Sequence, residues 1–164
     1  MALPTAKLAP QVLAARRTAI SEVMTRAPVV VGEDLGIEQL MLLFRERGLS
    51  RVPVVNEEGN LIGIVSKTDL VEDLYLRGDT DEIDQRGAEL DQHVHEVGQI
   101  VRDVMSRVPF SLPATMSLLD AAQRMLANHV HAVPVTSEAD GRVIGILSTT
   151  DMMAWVAGTP GEPG

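Results

Sequence analysis

Apolar positions change their period along the chain in a fixed order, and that order occurs twice. Across residues 34–47, Ile37, Leu40, Met41 and Phe44 recur at the spacing of one helical face, and Leu118, Ala121, Ala122 and Met125 take the same offsets later. Short β-branched runs follow each helix. Residues 52–55 and 61–65, split by the polar turn 56–60, predict a hairpin, and 133–136 with 143–147 repeat it around 137–142. A closing helix then starts after Ser66, carrying Leu70, Val71 and Leu74, or after Ser148, carrying Met152, Met153 and Val156. With a short entering strand ahead of each first helix, the pattern predicts an α/β fold of two βαββα units. Asp34 and Thr115 stand where a side-chain acceptor would cap those helices, and Gly48 suits the end of the first. Residues 11–22 predict one more helix, with Val12, Leu13 and Ile20 partly buried.

The two units are copies. Met24 to Met105 and Pro53 to Pro134 are both 81 residues apart, and Gly63 to Gly145 is 82, one residue having entered the second hairpin. A unit that repeats in this way is expected to be half of one body, packed against its copy through the sheets. The expected boundaries are 20–76 for the first unit, 77–98 for a linker or insertion, and 99–157 for the second. Residues 72–91 hold eight acidic residues against Arg77 and Arg86, which predicts a solvated excursion. His93 and His95 lie near Asp91 and Glu96 but offer no fixed tetrahedral set, so no metal site is expected. Residues 158–164, rich in Gly and Pro, predict a frayed tail.

Composition narrows the function classes. With 164 residues and 45% apolar positions, the chain is long and hydrophobic enough to fold around its own core. A formal net charge of −9 argues against direct binding to nucleic acid or an anionic membrane. The absence of cysteine removes disulfides, thiolate metal sites and cysteine nucleophiles, and fits a reducing cytoplasm. No stretch reaches 18 apolar residues and none has the apolar core of a signal peptide, so a cytoplasmic location is expected.

The chemistry worth weighing sits in Ser66-Lys67-Thr68-Asp69 and its copy Ser148-Thr149-Thr150-Asp151. At the mouth of a helix, free amides with Ser66 or Thr68 can meet a phosphate, and the Asp69 carboxylate can accept from ribose hydroxyls. Ser148, Thr150 and Asp151 repeat the arrangement. The same pattern is also a capping box, in which serine and aspartate serve only the helix, and the two readings are compatible. Phosphate charge should favour the first copy, which has Arg47, Arg51 and Lys67 where the second has Asn128, Ala132 and Thr149. His129 and His131 add only partial charge near neutral pH. Nothing supports catalysis: neither serine has a histidine base in local reach, and the G-x-S-x-G, phosphate-loop and H-E-x-x-H patterns are absent.

The doubled pattern V-M-T…R-V-P-V-V…G-I-V-S-K-T-D and V-M-S…A-V-P-V-T…G-I-L-S-T-T-D resembles a tandem pair of cystathionine-beta-synthase (CBS) domains, or Bateman module, over about residues 20–157. The resemblance implies a pseudo-two-fold disc, commonly dimerised, that binds adenine nucleotides or other adenosyl ligands in two clefts and regulates rather than catalyses. It implies that the serine and threonine hydroxyls face phosphate and the aspartates face ribose. It further implies a base pocket lined by Val30, Val52 and Pro53 in the first copy and by Leu112, Val133 and Pro134 in the second. Backbone near Arg51 and Ala132 would read the base edge. Both prolines also have a plain use at an edge or strand start. AMP, ADP, ATP or another adenosyl compound is thus the expected ligand, with no catalytic cofactor, a homodimer and a regulated protein in trans as expected partners. The apolar helix faces beginning at Ile37 and Leu118 are the expected dimer surface. The alternative is a structural or protein-interaction scaffold whose clefts stay empty.

Overall fold

The computed structural model describes residues 9–76, 100–107 and 110–159. The acidic segment beyond residue 76, His93 and His95, and residues 160–164 lie outside the described residues. In chain order the elements are α1 (Pro10–Arg17), a 3-10 turn (Ile20–Glu22), β1 (Thr25–Arg26), β2 (Val31–Gly32), α2 (Ile37–Arg47), β3 (Arg51–Val55), β4 (Leu61–Ser66) and α3 (Lys67–Leu76). They continue with α4 (Val101–Val104), β5 (Ser106–Arg107), β6 (Leu112–Pro113), α5 (Leu118–Ala127), β7 (Ala132–Thr136), β8 (Val143–Ser148) and α6 (Thr149–Ala157).

Two compact units result. Of the described residues, the first-repeat unit takes 28–76 and 100–107 with the hairpin tip Gly141–Val143; the second-repeat unit takes 9–27, Phe110–Asp140 and 144–159. Each holds one four-stranded sheet, ordered β2-β3-β4-β5 in the first and β1-β8-β7-β6 in the second. The entering strand runs parallel to the next, with Val31 opposite Val54 and Leu112 opposite Val135. In the first hairpin Asn56 Oδ1 accepts from the amides of Glu58 at 3.1 Å and Asn60 at 2.9 Å, while Gly59 supplies a φ of +85°.

The cores follow the predicted periodicity. Ile37, Leu40 and Phe44 of α2 join Val31, Val52, Val54, Val65 and Leu70; Leu118, Ala121 and Met125 of α5 join Leu112, Val133, Val135 and Leu147. Ile37, Leu40, Phe44, Leu118, Ala121 and Met125 of the two expected dimer faces are thus buried inside their own units, whereas Met41 and Ala122 stay partly exposed. Fully burying each such side chain stabilises its unit by roughly 1.5–3 kcal/mol, which is why these positions are apolar in both repeats.

The caps differ from expectation. α2 starts at Ile37 behind Gly36, so Asp34 lies too far upstream to cap it and pairs with Arg102. α5 is capped by Ser117, whose Oγ accepts from the Asp120 amide at 3.1 Å, while Thr115 donates to Glu138 at 3.1 Å. Gly48 does end α2, at a φ of +65°. The expected N-terminal helix is interrupted at Thr18, where the chain extends before the 3-10 turn, and Ile20 is fully rather than partly buried. Gly158, placed in the expected tail, caps α6 at a φ of +70°. Among the described residues no helix is long and apolar enough to cross a membrane.

Each unit is completed by the opening segment of the other repeat. β1, at the start of the first repeat, pairs antiparallel with β8 of the second, Thr25 opposite Ile146 and Arg26 opposite Gly145. β5, at the start of the second repeat, pairs with β4 of the first, Gly63 opposite Arg107 and Ile64 opposite Ser106. Ile20 and Met24 enter the second-repeat core in this way, and Val101 and Met105 the first. The glycines make the seats. A β-carbon on Gly63 would lie 2.7 Å from Met105 Sδ and 3.0 Å from the Ser106 carbonyl oxygen; one on Gly145 would strike Met24 Sδ and lie 3.0 Å from the Thr25 carbonyl oxygen.

Gly63→Ala and Gly145→Ala are therefore expected to destabilise the protein by about 1–3 kcal/mol each, as overpacking does. Urea denaturation checks this, with Gly32→Ala as the comparison, because nothing lies within 4 Å of a β-carbon there. Equal midpoints for all three variants would mean that the methionines are not held against the glycines.

Candidate functional site

The last strand of each hairpin delivers a serine to the mouth of a helix. Ser66 ends β4 and Ser148 ends β8, and the next residues open α3 and α6. The amide of Lys67 goes back to the Ser50 carbonyl at 2.9 Å, and that of Thr149 to the His131 carbonyl at 2.9 Å. Those two bonds bring the starts of β3 and β7 beside the helix mouths, with Arg51 opposite Ser66 in register.

The capping box forms in both copies. Asp69 Oδ2 accepts from the Ser66 amide at 2.6 Å and from Ser66 Oγ at 2.5 Å, and the Asp69 amide donates to Ser66 Oγ at 3.3 Å. Asp151 and Ser148 match this at 2.7, 2.5 and 3.1 Å. Each serine thus gives its only hydroxyl proton to the aspartate and, in this arrangement, has none for a phosphate. Thr68 and Thr150 are exposed, and their hydroxyls bond no other described residue.

A second hydroxyl reaches each carboxylate from the exchanged strand. Thr25 Oγ1 donates to Asp151 Oδ1 at 3.2 Å, and Ser106 Oγ donates to Asp69 Oδ1 at 3.3 Å. Oδ2 has both lone pairs engaged and Oδ1 has one, which leaves a single acceptor position on each aspartate. Asp151 is buried, at 7% exposure, whereas Asp69 is half-buried. Sequence reasoning missed Thr25 and Ser106. The signal was present, since both follow the repeated methionine, but their role depends on pairing with a strand of the other repeat.

The remaining candidates divide by burial. Val30 is 39% exposed and stands just before β2, Arg51 and Ala132 are half-buried, and Lys67 and His131 are exposed. Neither Arg51 nor Lys67 is ion-paired with another described residue. Val52, Leu112 and Val133 are core side chains with at most 1% exposure, and Pro53 and Pro134 are buried with them. Those five offer a ligand almost no side-chain surface in this conformation: Val52, Leu112 and Val133 join the cores, and Pro53 and Pro134, which alternation turns to the other face, are covered as well. Each set collects within one unit: Val30 through Asp69 with Ser106 in the first-repeat unit, and Leu112 through Asp151 with Thr25 in the second. Among the described residues no group of three or more His, Asp or Glu could hold a metal ion.

Removing a serine cap costs about 0.5–2 kcal/mol. Ser148→Ala should therefore lower thermal stability by that amount, and Ser148→Thr should restore most of it. Unchanged melting of Ser148→Ala would mean that the capping box contributes nothing.

Known proteins share this architecture. The uncharacterised protein MJ1426 of Methanocaldococcus jannaschii is 29% identical over 150 residues, spanning 82% of this chain and 88% of that one. The chain covers only 44% and 32% of two further relatives from that organism, MJ1225 and MJ1404. The crystal structure of CBSX2 in complex with AMP has a TM-score of 0.69 at 23% identity, covering 85% of this chain and 96% of that one. The CBS domain pair of MJ0100, in complex with 5′-methylthioadenosine and S-adenosylmethionine, has a TM-score of 0.67 at 18% identity, covering 86% and 97%. The CBS domain model matches residues 20–75 and again 101–158, and the chain belongs to the CBS domain family as a tandem pair.

Proposed function

We propose that this chain is a regulatory module that senses an adenosyl ligand and has no catalytic activity of its own. The observation that carries the reading is the doubled Ser-x-x-Asp helix mouth, with one acceptor position left on each aspartate and exposed threonine hydroxyls beside it. Structural neighbours with the same pair of units hold AMP, methylthioadenosine or S-adenosylmethionine, and adenosine is the moiety these ligands share. In this reading Thr68 and Thr150 meet phosphate, while Asp69 and Asp151 meet ribose. Ser66 and Ser148 hold the aspartates and reach a phosphate only by giving up the cap. The base lies against Val30, the backbone at Arg51 and Ala132, and the edges of the strands that begin with them. Val52, Pro53, Leu112, Val133 and Pro134 set the shape of that surface from beneath. In this reading the module acts on a partner protein in the cytoplasm.

A second reading has an observation of its own. Both capping boxes are complete without a ligand, as a structural scaffold requires. Titration with adenosine, AMP, ADP, ATP and S-adenosylmethionine separates the two, together with analysis of nucleotide released from freshly purified protein by denaturation. Binding of none of the five, with no released nucleotide, would leave the scaffold.

The single acceptor position makes the aspartates testable. Asp69→Asn and Asp151→Asn should each weaken adenosine at their own site, since a charged hydrogen bond of roughly 1.5–3 kcal/mol corresponds to about 10- to 150-fold in affinity. A pure cap role would instead lower melting and leave the affinity of the folded protein unchanged. Phosphate should prefer the first copy, where Arg51 and Lys67 stand. Neutralising both as Arg51→Gln and Lys67→Gln is expected to weaken ATP more than adenosine, and added salt should narrow the gap. Equal weakening of ATP and adenosine would remove the phosphate assignment.

We infer that the module is a homodimer through outer helix surfaces rather than through the core faces. Leu126 on α5 with Met153 and Val156 on α6 are 76%, 70% and 70% exposed, against 45% for Leu42 and 42% for Val71 in the first-repeat unit. The mass in solution of wild type and of Met153→Glu decides this. A one-chain mass for wild type at working concentration would sink the dimer.

A further inference from the structure

We propose that Thr25 and Ser106, which lie on the exchanged strands, are ribose-recognition residues, each forming with its aspartate a two-acceptor clamp for a vicinal diol. The inference rests on the adenosyl reading above and assigns how the sugar is recognised. Asp151 Oδ2 is closed by the Ser148 amide and hydroxyl, so only Oδ1 faces a ligand, and Thr25 already occupies one of its two lone pairs. A carboxylate in this state takes one ribose hydroxyl, not two. The neighbouring hydroxyl needs another acceptor at the right distance. Thr25 Oγ1 provides it: while its proton goes to Asp151, its two lone pairs remain open, and it sits 3.2 Å from Oδ1. Two acceptors at that separation match two donors on adjacent carbons. Ser106 Oγ and Asp69 Oδ1, 3.3 Å apart, repeat the pair in the first-repeat unit.

The two clamps differ in burial. Thr25 is half-buried and Asp151 is buried, whereas Ser106 is exposed and Asp69 half-buried. Water competes less in the first case, so the second-repeat clamp should discriminate more strongly. The geometry also explains why a hydroxyl stands at both positions when the strand pairing itself requires only backbone.

The test pairs protein variants with sugar variants. Two-site calorimetric titrations of the full chain use adenosine, 2′-deoxyadenosine and 3′-deoxyadenosine against wild type, Thr25→Val, Thr25→Ser and Ser106→Ala. Thr25→Val is expected to weaken adenosine at one site by about two- to tenfold, the span of one neutral hydrogen bond. One of the two deoxynucleosides should bind wild type and Thr25→Val alike, because the hydroxyl that Thr25 serves is already missing. Thr25→Ser should keep wild-type affinity, and Ser106→Ala should produce the smaller loss at the other site. Equal losses for all three nucleosides would make Thr25 a support for Asp151 or the fold, and overturn the clamp. No loss in Thr25→Val, or a loss in Thr25→Ser as large as in Thr25→Val, would overturn it too. Should Thr25→Val fail to fold, Ser106→Ala carries the same three-nucleoside comparison at the other site. Wild type that binds none of the nucleosides overturns the adenosyl reading and the clamp together, which separates that failure from one confined to the variants.

Discussion

The contact on which each unit depends is a methionine laid on a glycine. Met105 rests over Gly63, and Met24 over Gly145, at a distance no side chain at the glycine would permit. Packing at that proximity seats the residues on either side of each methionine. Ahead of it, Ile20 or Val101 fills the core; behind it, β1 or β5 adds the fourth strand and carries Thr25 or Ser106 to the carboxylate. Apolar burial and site assembly therefore rest on the same short segment.

This arrangement explains why the helix mouths look like caps and like ligand sites at once. An aspartate at the third helical position answers its own serine with one oxygen, which stabilises the helix in the absence of any ligand. Its other oxygen is turned toward the exchanged strand. Because the cap fixes one side of the carboxylate, the other is held in place before a ligand arrives, and less ordering remains to be done on binding.

Local pattern was a good guide wherever local physics decides the outcome. The helical face of Ile37, Leu40 and Phe44, the Asn56 turn and the Gly48 terminus follow from periodicity and backbone preference within a few residues. Caps were harder to read. Asp34 and Thr115 are good capping residues, but each helix starts two residues later than they require, and side-chain chemistry alone does not mark that offset. The strand residues Val52, Leu112 and Val133 match the lining of the family pattern, yet they join the cores, and their strand neighbours Pro53 and Pro134 are buried too. Thr25 and Ser106 are marked by the repeated methionine before them, but their role is not: their partners lie in the other repeat, and repeat symmetry identifies equivalent positions without saying which copy they join.

The exchange also separates the two units in contact order. Ser106 meets Asp69 across 37 residues of chain, but Thr25 meets Asp151 across 126. By loop-closure entropy alone the longer connection costs about 1 kcal/mol more. The larger consequence is temporal: on the ribosome, the first-repeat unit has every strand of its sheet once Arg107 emerges, whereas the second-repeat unit waits for β8, and until then Ile20 and Met24 remain without their core.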